Sequence, residues 1–267
     1  MQRERLVALF SDAPPREING VFDFLTSDEH ERARLAVADD RENALKNFFK
    51  KWPRFYERMS LFVSPILFTG LTSRTFVKQL PPDGLVLNLG SGPTNLGANC
   101  INVDLYAFPN VHVLAQGNRL PFKNGCFDAV VCDQVLEHVA DPYGVARELM
   151  RVLKPGGLAY VGVPFVFPLH PSPKDYARWS FDGLEALLPG CASFRSGVSI
   201  GPTSGLLTVL ADWLALIFSF GIGPLRTGLR YLFMLVLFPF KFLDLLVARI
   251  PGAEVIAAAV YVVAEKS

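Results

Sequence analysis

The chain has 267 residues, enough for one large domain with additions. Hydrophobic residues make up 51% of it and charged residues 19%, which excludes a disordered chain. The 26 basic and 25 acidic side chains leave a net charge of +1, so whole-molecule attraction to nucleic acid is excluded and no nucleic-acid partner is expected. Mean hydropathy is nonetheless +0.29. The excess is local, since 31 of the 45 residues in 206–250 are apolar.

In chain order, residues 1–80 are expected to form a polar lead followed by basic aromatic helices. The apolar run within residues 1–10 is too short for a secretory signal, which points to a cytoplasmic location. Residues 16–25 suggest a turn between short apolar pieces. Between 41 and 80 there are eight bases against two acids, interleaved with Phe48, Phe49, Trp52, Phe55 and Tyr56. That spacing suits one or two helices broken near Pro53 and Pro65. Such helices can lie on an anionic membrane, or rest on a sheet with their lysines reaching outward.

From 81 to 203 the pattern alternates buried strands and connections. Strands are expected at 85–89, up to Asp104, at 111–115, 127–132 and 158–163, with an amphipathic helix at 141–153 ended by Pro155-Gly156-Gly157. Short apolar strands joined by crossovers predict a parallel sheet, with ligand chemistry at the strand ends. The connections after Gly90 and after Asp104 are too short for crossover helices. One sheet face therefore lacks its usual cover, and the helices before Leu80 or the apolar segment must supply it. Residues 204–254 are expected to be an apolar helical insertion and 255–267 a final strand of the core. Cys100, Cys126, Cys132 and Cys191 stand singly, a spacing that suggests neither zinc nor redox chemistry, so no metal is expected.

Gly90-Ser91-Gly92 directly after a buried strand lets backbone approach a ligand closely, although the full G-x-G-x-x-G spacing is missing. Asp104 ends the next strand, where an acid can accept both hydroxyls of a ribose. Together the glycine turn and the acid ask for a nucleoside.

At this point the chain resembles a known family. Leu87-Asn88-Leu89-Gly90-Ser91-Gly92, the strand-end Asp104, Leu120-Pro121-Phe122, Phe127-Asp128-Ala129-Val130-Val131-Cys132, Val135-Leu136-Glu137-His138-Val139 and Leu153-Lys154-Pro155-Gly156-Gly157 are similar, in order and spacing, to the motifs of class I S-adenosylmethionine-dependent methyltransferases of the type 11 kind. The resemblance covers about 85–165. It implies an α/β, Rossmann-like sheet of seven strands with abbreviated early crossovers and an apolar helical insertion before the last strand. It also implies S-adenosylmethionine as cofactor. By the same resemblance Asn88, Gly90, Ser91 and Gly92 line the methionine portion, Asp104 binds the ribose, Gln116 lies at the adenine, and Leu105 and Gly117 are further cofactor-binding residues. Asn88 and Gln116 stand where relatives often carry acids. Asp133, Gln134, Leu136 and His138 follow the fourth strand at the edge facing the methyl group. His138 is a candidate general base, or packs and hydrogen-bonds beside the cofactor; Glu137 is expected to cap or pair nearby.

Methyl transfer from a sulfonium asks mainly for alignment, with a base needed only for a protonated acceptor. The loop 164–180 concentrates candidates for that role and for acceptor binding: His170, Asp175, Tyr176 and Arg178. These side chains either meet the acceptor or stabilise the loop through ion pairs and hydrogen bonds. The loop resembles that of a methyltransferase subgroup with an H-x-x-P-x-D-Y-x-R pattern, often associated with cell-envelope or polysaccharide genes. Ser180 is expected to cap a helix over 181–188.

Within the apolar segment, Asp212, Gly223-Pro224, Arg226, Arg230, Pro239, Lys241 and Asp244 interrupt every run before the roughly 20 residues of a spanning helix. At 100° per residue, Arg226, Arg230, Lys241 and Asp244 fall on one narrow stripe. The leading expectation is a hairpin dipping into one membrane leaflet; cover for the bare sheet face and a dimer contact are the alternatives. The combined expectation is a methyltransferase acting on a small-molecule or lipid-linked acceptor, cytoplasmic with peripheral membrane contact and of open oligomeric state. The rival reading is a catalytically inactive, membrane-associated scaffold of the same fold.

Overall fold

The computed structural model describes residues 3–12, 16–38, 64–171 and 174–267. In chain order its elements are α1 (Arg3–Val7), β1 (Arg16–Ile18), β2 (Val21–Asp23), α2 (Ser27–Ala38), α3 (Ser73–Val77), β3 (Val86–Leu89), β4 (Cys100–Asp104), β5 (Val113–Leu114) and β6 (Phe127–Asp133). There follow α4 (Pro142–Val152), β7 (Leu153–Pro164), α5 (Phe181–Leu187), β8 (Cys191–Ile200), α6 (Pro202–Phe218), α7 (Gly223–Leu237), α8 (Asp244–Val247) and β9 (Ala259–Lys266).

The strands form one mixed sheet in the order β1-β2-β5-β4-β3-β6-β7-β9-β8. The run from β2 to β7 is parallel, and β9 lies antiparallel between β7 and β8. Chain order reverses between β3 and β6, which opens a crevice at the carboxyl ends of those two strands. Every residue of β3 and β4 is buried, as expected for strands covered on both faces.

The sheet has nine strands where seven were expected. The two additional strands, β1 and β2, are the arms of a hairpin whose turn is Asn19-Gly20, both at positive φ. Phe22 and Asp23 of β2 pair with Val113 and Leu114, so the polar lead extends the sheet edge.

Among the described residues no helix links β3 to β4 or β4 to β5, in line with the short connections. The sheet face bearing Leu87, Ile101, Val130 and Val161 packs with Leu149 of α4 and Leu184 of α5 in the larger core. Asp141 caps α4 by accepting from Gly144 N–H at 2.8 Å, and Pro142 takes the first helical position. The opposite face, bearing Val86, Cys100, Val131 and Tyr160, is covered by Phe76 of α3 with Leu71, Val77 and Leu80. Thus the segment just before Leu80 supplies cover, while Phe48, Phe49, Trp52, Pro53, Phe55 and Tyr56 lie outside the described residues.

The apolar insertion stands between β8 and β9. Its helices α6 and α7 form a hairpin tied by Arg230 Nε and Asp212 Oδ1 at 3.2 Å. After α7 the chain turns into a 3-10 segment, Phe238–Leu243, and this rotates the next polar residues inward. Lys241 donates to the Ser64 carbonyl at 2.9 Å and sits over the rings of Phe238 and Phe242. Asp244 is fully buried and accepts from Thr203 N–H, Ser204 N–H and the Ser204 hydroxyl at 2.7–2.8 Å, which caps α6 from a distance. The single stripe expected from helical spacing is therefore corrected: Lys241 and Asp244 are buried against the protein, whereas Arg226 is exposed. The outward face of this segment carries Leu232, Leu235, Val236, Phe240, Leu243 and Leu246. No helix among the described residues is long and apolar enough to cross a membrane.

Candidate functional site

Two groups of residues meet at the crevice between β3 and β6. The first is built on the end of β3. Gly90 has φ +65° and Gly92 φ +51°, which glycine adopts without steric cost. Around the position a Cβ on Gly92 would take, the space is open for 4 Å, so a ligand can lie along this backbone. Gly90 and Ser91 N–H both donate to the Val103 carbonyl, which holds the turn against β4.

Asp104 locks the same turn from the end of β4. Its Oδ2 accepts from Gly92 N–H at 2.8 Å and its Oδ1 from Tyr106 N–H at 3.0 Å. Burial raises the carboxyl above its usual range, while the hydrogen bonds from Tyr106, Gly92 and Leu105 N–H pull it back. Each oxygen keeps a lone pair beyond those contacts. Leu105 packs beside Leu25, Val111 and Leu114. Gln116 is half-buried after β5, and Gly117 lies close against Leu89 and Val145.

Asn88 points elsewhere. Its amide donates to Asn102 Oδ1 at 3.0 Å, and Asn102 donates on to the Asn110 carbonyl, a buried ladder across β3 and β4. Sequence reasoning passed over Asn102, and the Asn at one register pair on both strands was the signal for it.

The second group sits on the end of β6 and on the loop after β7. Asp133 is directed to Ser73, whose hydroxyl and N–H bond to it, and burial raises its carboxyl. Gln134 has φ +58° and donates its N–H to the Gly162 carbonyl at 2.8 Å, and Leu136 is packed in the large core. These three build the end of the strand.

Glu137, the acid expected to cap or pair nearby, meets two histidines through long contacts rather than hydrogen bonds. It is 0% exposed, and neither carboxylate oxygen has a hydrogen-bond partner among the described residues. Burial pushes its carboxyl up to about 7. Two imidazoles face it, His138 Nε2 at 3.7 Å and His170 Nε2 at 3.8 Å from Oε1. The rings of His138 and His170 meet edge to face with centroids 5.0 Å apart. His138 Nδ1 lies 2.6 Å from the Lys174 carbonyl. A carbonyl only accepts, so Nδ1 donates this bond and Nε2 is turned toward Glu137.

Loop 164–180 is closed by its own charges. Arg178 and Asp175 form a two-pronged ion pair, and Asp175 Oδ2 also accepts from His170 N–H at 3.0 Å. The Arg178 hydrogen bonds hold the Asp175 carboxyl down at about 2. His170 Nδ1 stands 3.4 Å from the same Asp175 oxygen. Burial lowers the His170 pKa, with His138 adding to the effect. Tyr176 donates its N–H to the Glu137 carbonyl at 2.6 Å, while its side chain is exposed. The predicted loop residues thus converge with His138, and Ser180 caps α5 by accepting from Gly183 N–H. Beside them a cavity of about 520 Å³ opens between Phe165, Phe167 and Pro168 of the loop and Val209, Trp213 and Leu216 of α6.

Residues 95–161 match a family model described as a methyltransferase domain, a span that includes Asp104, Gln116 and 133–138. An uncharacterized methyltransferase of Mycobacterium sp. (strain KMS) is 34% identical over 96 residues, covering 30% of this chain and 38% of that protein. A ubiquinone biosynthesis O-methyltransferase of Dechloromonas aromatica (strain RCB) is 31% identical over 103 residues, covering 33% of this chain and 42% of that protein. The chain spans about two fifths of the length of these curated relatives. Among solved structures, a SAM-dependent methyltransferase from Thermotoga maritima aligns with a TM-score of 0.45 at 17% identity, over 83% of this chain and 99% of that one. The sheet order and the glycine turn define an α/β Rossmann-like fold, and residues 95–161 within it are similar to a methyltransferase domain.

Proposed function

We propose that the chain transfers a methyl group from S-adenosylmethionine to an acceptor with a polar head and an apolar body, lipid-linked or envelope-related. The observation that carries this reading is the meeting, at one sheet crevice, of the Asp104-locked glycine turn with the His138–Glu137–His170 cluster. Gly90, Ser91 and Gly92 offer backbone to the methionine portion. The free lone pairs of Asp104 accept the ribose hydroxyls, and the Gln116 amide oxygen accepts from the adenine amino group. The cofactor, when bound, supplies an activated methyl on a sulfonium.

The chain's own residues then orient the acceptor and exclude water. Arg178 and Asp175 fix the loop, and His138 is the candidate to receive a proton from an acceptor hydroxyl or amine. The cavity along α6 receives the acceptor's apolar body, since its lining is apolar except for Asp212 and Arg226. The outward apolar face of the insertion supports peripheral contact with a membrane, from which such an acceptor would be taken.

Titration calorimetry with S-adenosylmethionine tests the cofactor assignment, with a micromolar Kd expected. Absence of binding by the folded chain, with and without lipid vesicles, overturns the enzyme and favours an inactive scaffold. Incubation with methyl-labelled cofactor and bacterial lipid and glycan extracts, read by mass spectrometry, identifies the acceptor; label in neither extract overturns the acceptor class.

A further inference from the structure

We propose that Glu137, His138 and His170 form a binding site for one divalent transition-metal ion, zinc being the reference case. One carboxylate and two imidazole nitrogens, one ligand atom from each residue, lie within 4.8 Å of one another. A mixed set of two histidines and one glutamate is a recurrent first shell for zinc, with the remaining position open. Zinc bonds of about 2.0–2.2 Å in a tetrahedron place ligand atoms about 3.3–3.5 Å apart. The separations of 3.7 and 3.8 Å from Oε1 to the two Nε2 atoms need to contract by only a few tenths of an ångström.

Two further observations favour a cation at this site. A carboxylate that is 0% exposed, with neither oxygen in a side-chain hydrogen bond among the described residues, carries a desolvation cost that its own backbone and the charge of Arg178 offset only in part. The outer contact of His138 is also that of a metal ligand, which commonly donates its second N–H to a carbonyl or carboxylate, while His170 Nδ1 faces a carboxylate without a hydrogen bond. His138 Nδ1 donates to the Lys174 carbonyl at 2.6 Å. His170 Nδ1 faces Asp175 at 3.4 Å, and Asp175 is itself oriented by Arg178. Each ring therefore turns Nε2 toward Glu137. The charge of Arg178 is met by Asp175 and so does not compete for the site.

Lone cysteines gave the sequence no metal signal, and the three ligands are brought together only when the loop after β7 folds over the end of β6. On the methyl-transfer reading, an ion here would take the His138 Nε2 lone pair and so replace the base role of that nitrogen, polarising an oxygen of the acceptor at the strand end instead; that role rests on the proposed function, whereas the site itself does not.

The test is calorimetric titration of zinc chloride into tag-free, EDTA-treated full-length chain, with cobalt(II) absorption as an independent readout. One equivalent binding at micromolar Kd or tighter is expected. Glu137→Gln and His170→Ala should each weaken zinc binding at least tenfold, while His30→Ala, at a remote histidine, leaves it unchanged. Glu137→Gln, which removes the buried charge, should melt at or above the metal-free native temperature and lose the zinc-induced rise in Tm. No stoichiometric binding, or zinc binding by Glu137→Gln equal to that of the native chain, overturns the proposal. Since the titration contains no cofactor, its failure is distinguishable from a failure to bind S-adenosylmethionine.

Discussion

Gly90 lies directly against Val135: a Cβ on residue 90 would come within 2.3 Å of Val135 Cγ2, and the residue holds φ +65°. The contact joins the cofactor turn after β3 to the segment after β6, so either side's displacement is felt by the other. Gly90→Ala should destabilise the chain by about 2–4 kcal/mol, from a left-handed backbone cost and overpacking. Urea unfolding checks this. Adding Val135→Ala should recover the overpacking part and leave only the backbone part; a double variant no more stable than Gly90→Ala would show that the contact is not the cause.

Asp104 combines two tasks, bracing the turn through Gly92 N–H and offering lone pairs to a ribose. Asp104→Ala is expected to lower S-adenosylmethionine affinity at least tenfold, a loss of about 1.5–3 kcal/mol for charge-assisted hydrogen bonds. Calorimetry at fixed pH measures it, and unchanged affinity rejects the ribose assignment.

The same carboxyl sets a pH dependence. Burial raises its pKa in the folded chain, and only the ionised form accepts both ribose hydroxyls. Cofactor affinity should therefore be full above that raised pKa and fall as pH drops through it. In Asp104→Asn the acid-side fall should flatten, at a lower plateau; a native profile that stays level through the carboxylate range rejects the assignment.

The strands from β3 to β7 were legible because parallel strands buried on both faces read as continuous apolar runs, and because glycine turns and the Asp141 cap punctuate them. The β1–β2 hairpin was harder to see. Its arms have only three residues each, so no alternation accumulates, and Asn19-Gly20 was the sole strong sign. The surroundings of Glu137 were legible only in part. Its burial and its contact with His170 depend on a loop more than thirty residues away closing over it, which no local pattern encodes. The stripe of Arg226, Arg230, Lys241 and Asp244 failed because helical spacing was carried across Pro239. The chain leaves the α-helix just before that proline, at Phe238.

That break gives Asp244 its value. Its carboxylate satisfies two orphan amides at the start of α6, and Gly201 gives it room, since a Cβ there would come within 2.3 Å of the carboxylate carbon. Asp244→Ala should cost about 2–3 kcal/mol, as a remote cap and a buried charged acceptor are lost together. Thermal unfolding should register the loss, and proteolysis should open the 219–222 turn first. A change within about 0.5 kcal/mol would mean that α6 is held by its packing alone.

The insertion turns its polar anchors inward and its apolar side chains out, the reverse of an ordinary surface helix. Phe220, at the turn between α6 and α7, is 85% exposed, and Trp213, Phe218, Ile222 and Leu225 are also exposed. Apolar area removed from water is worth about 25 cal/mol per Å², and Arg226 and Arg249 add attraction to anionic lipid. The chain should float with vesicles containing phosphatidylglycerol, and less so as salt rises. Phe220→Asp with Ile222→Asp should reduce flotation at least fivefold while leaving Tm within a few degrees, because neither side chain is buried. If the chain stays in the pellet-free soluble fraction with all vesicles and instead elutes as a dimer that the double variant dissociates, the face is a contact between copies rather than a lipid surface.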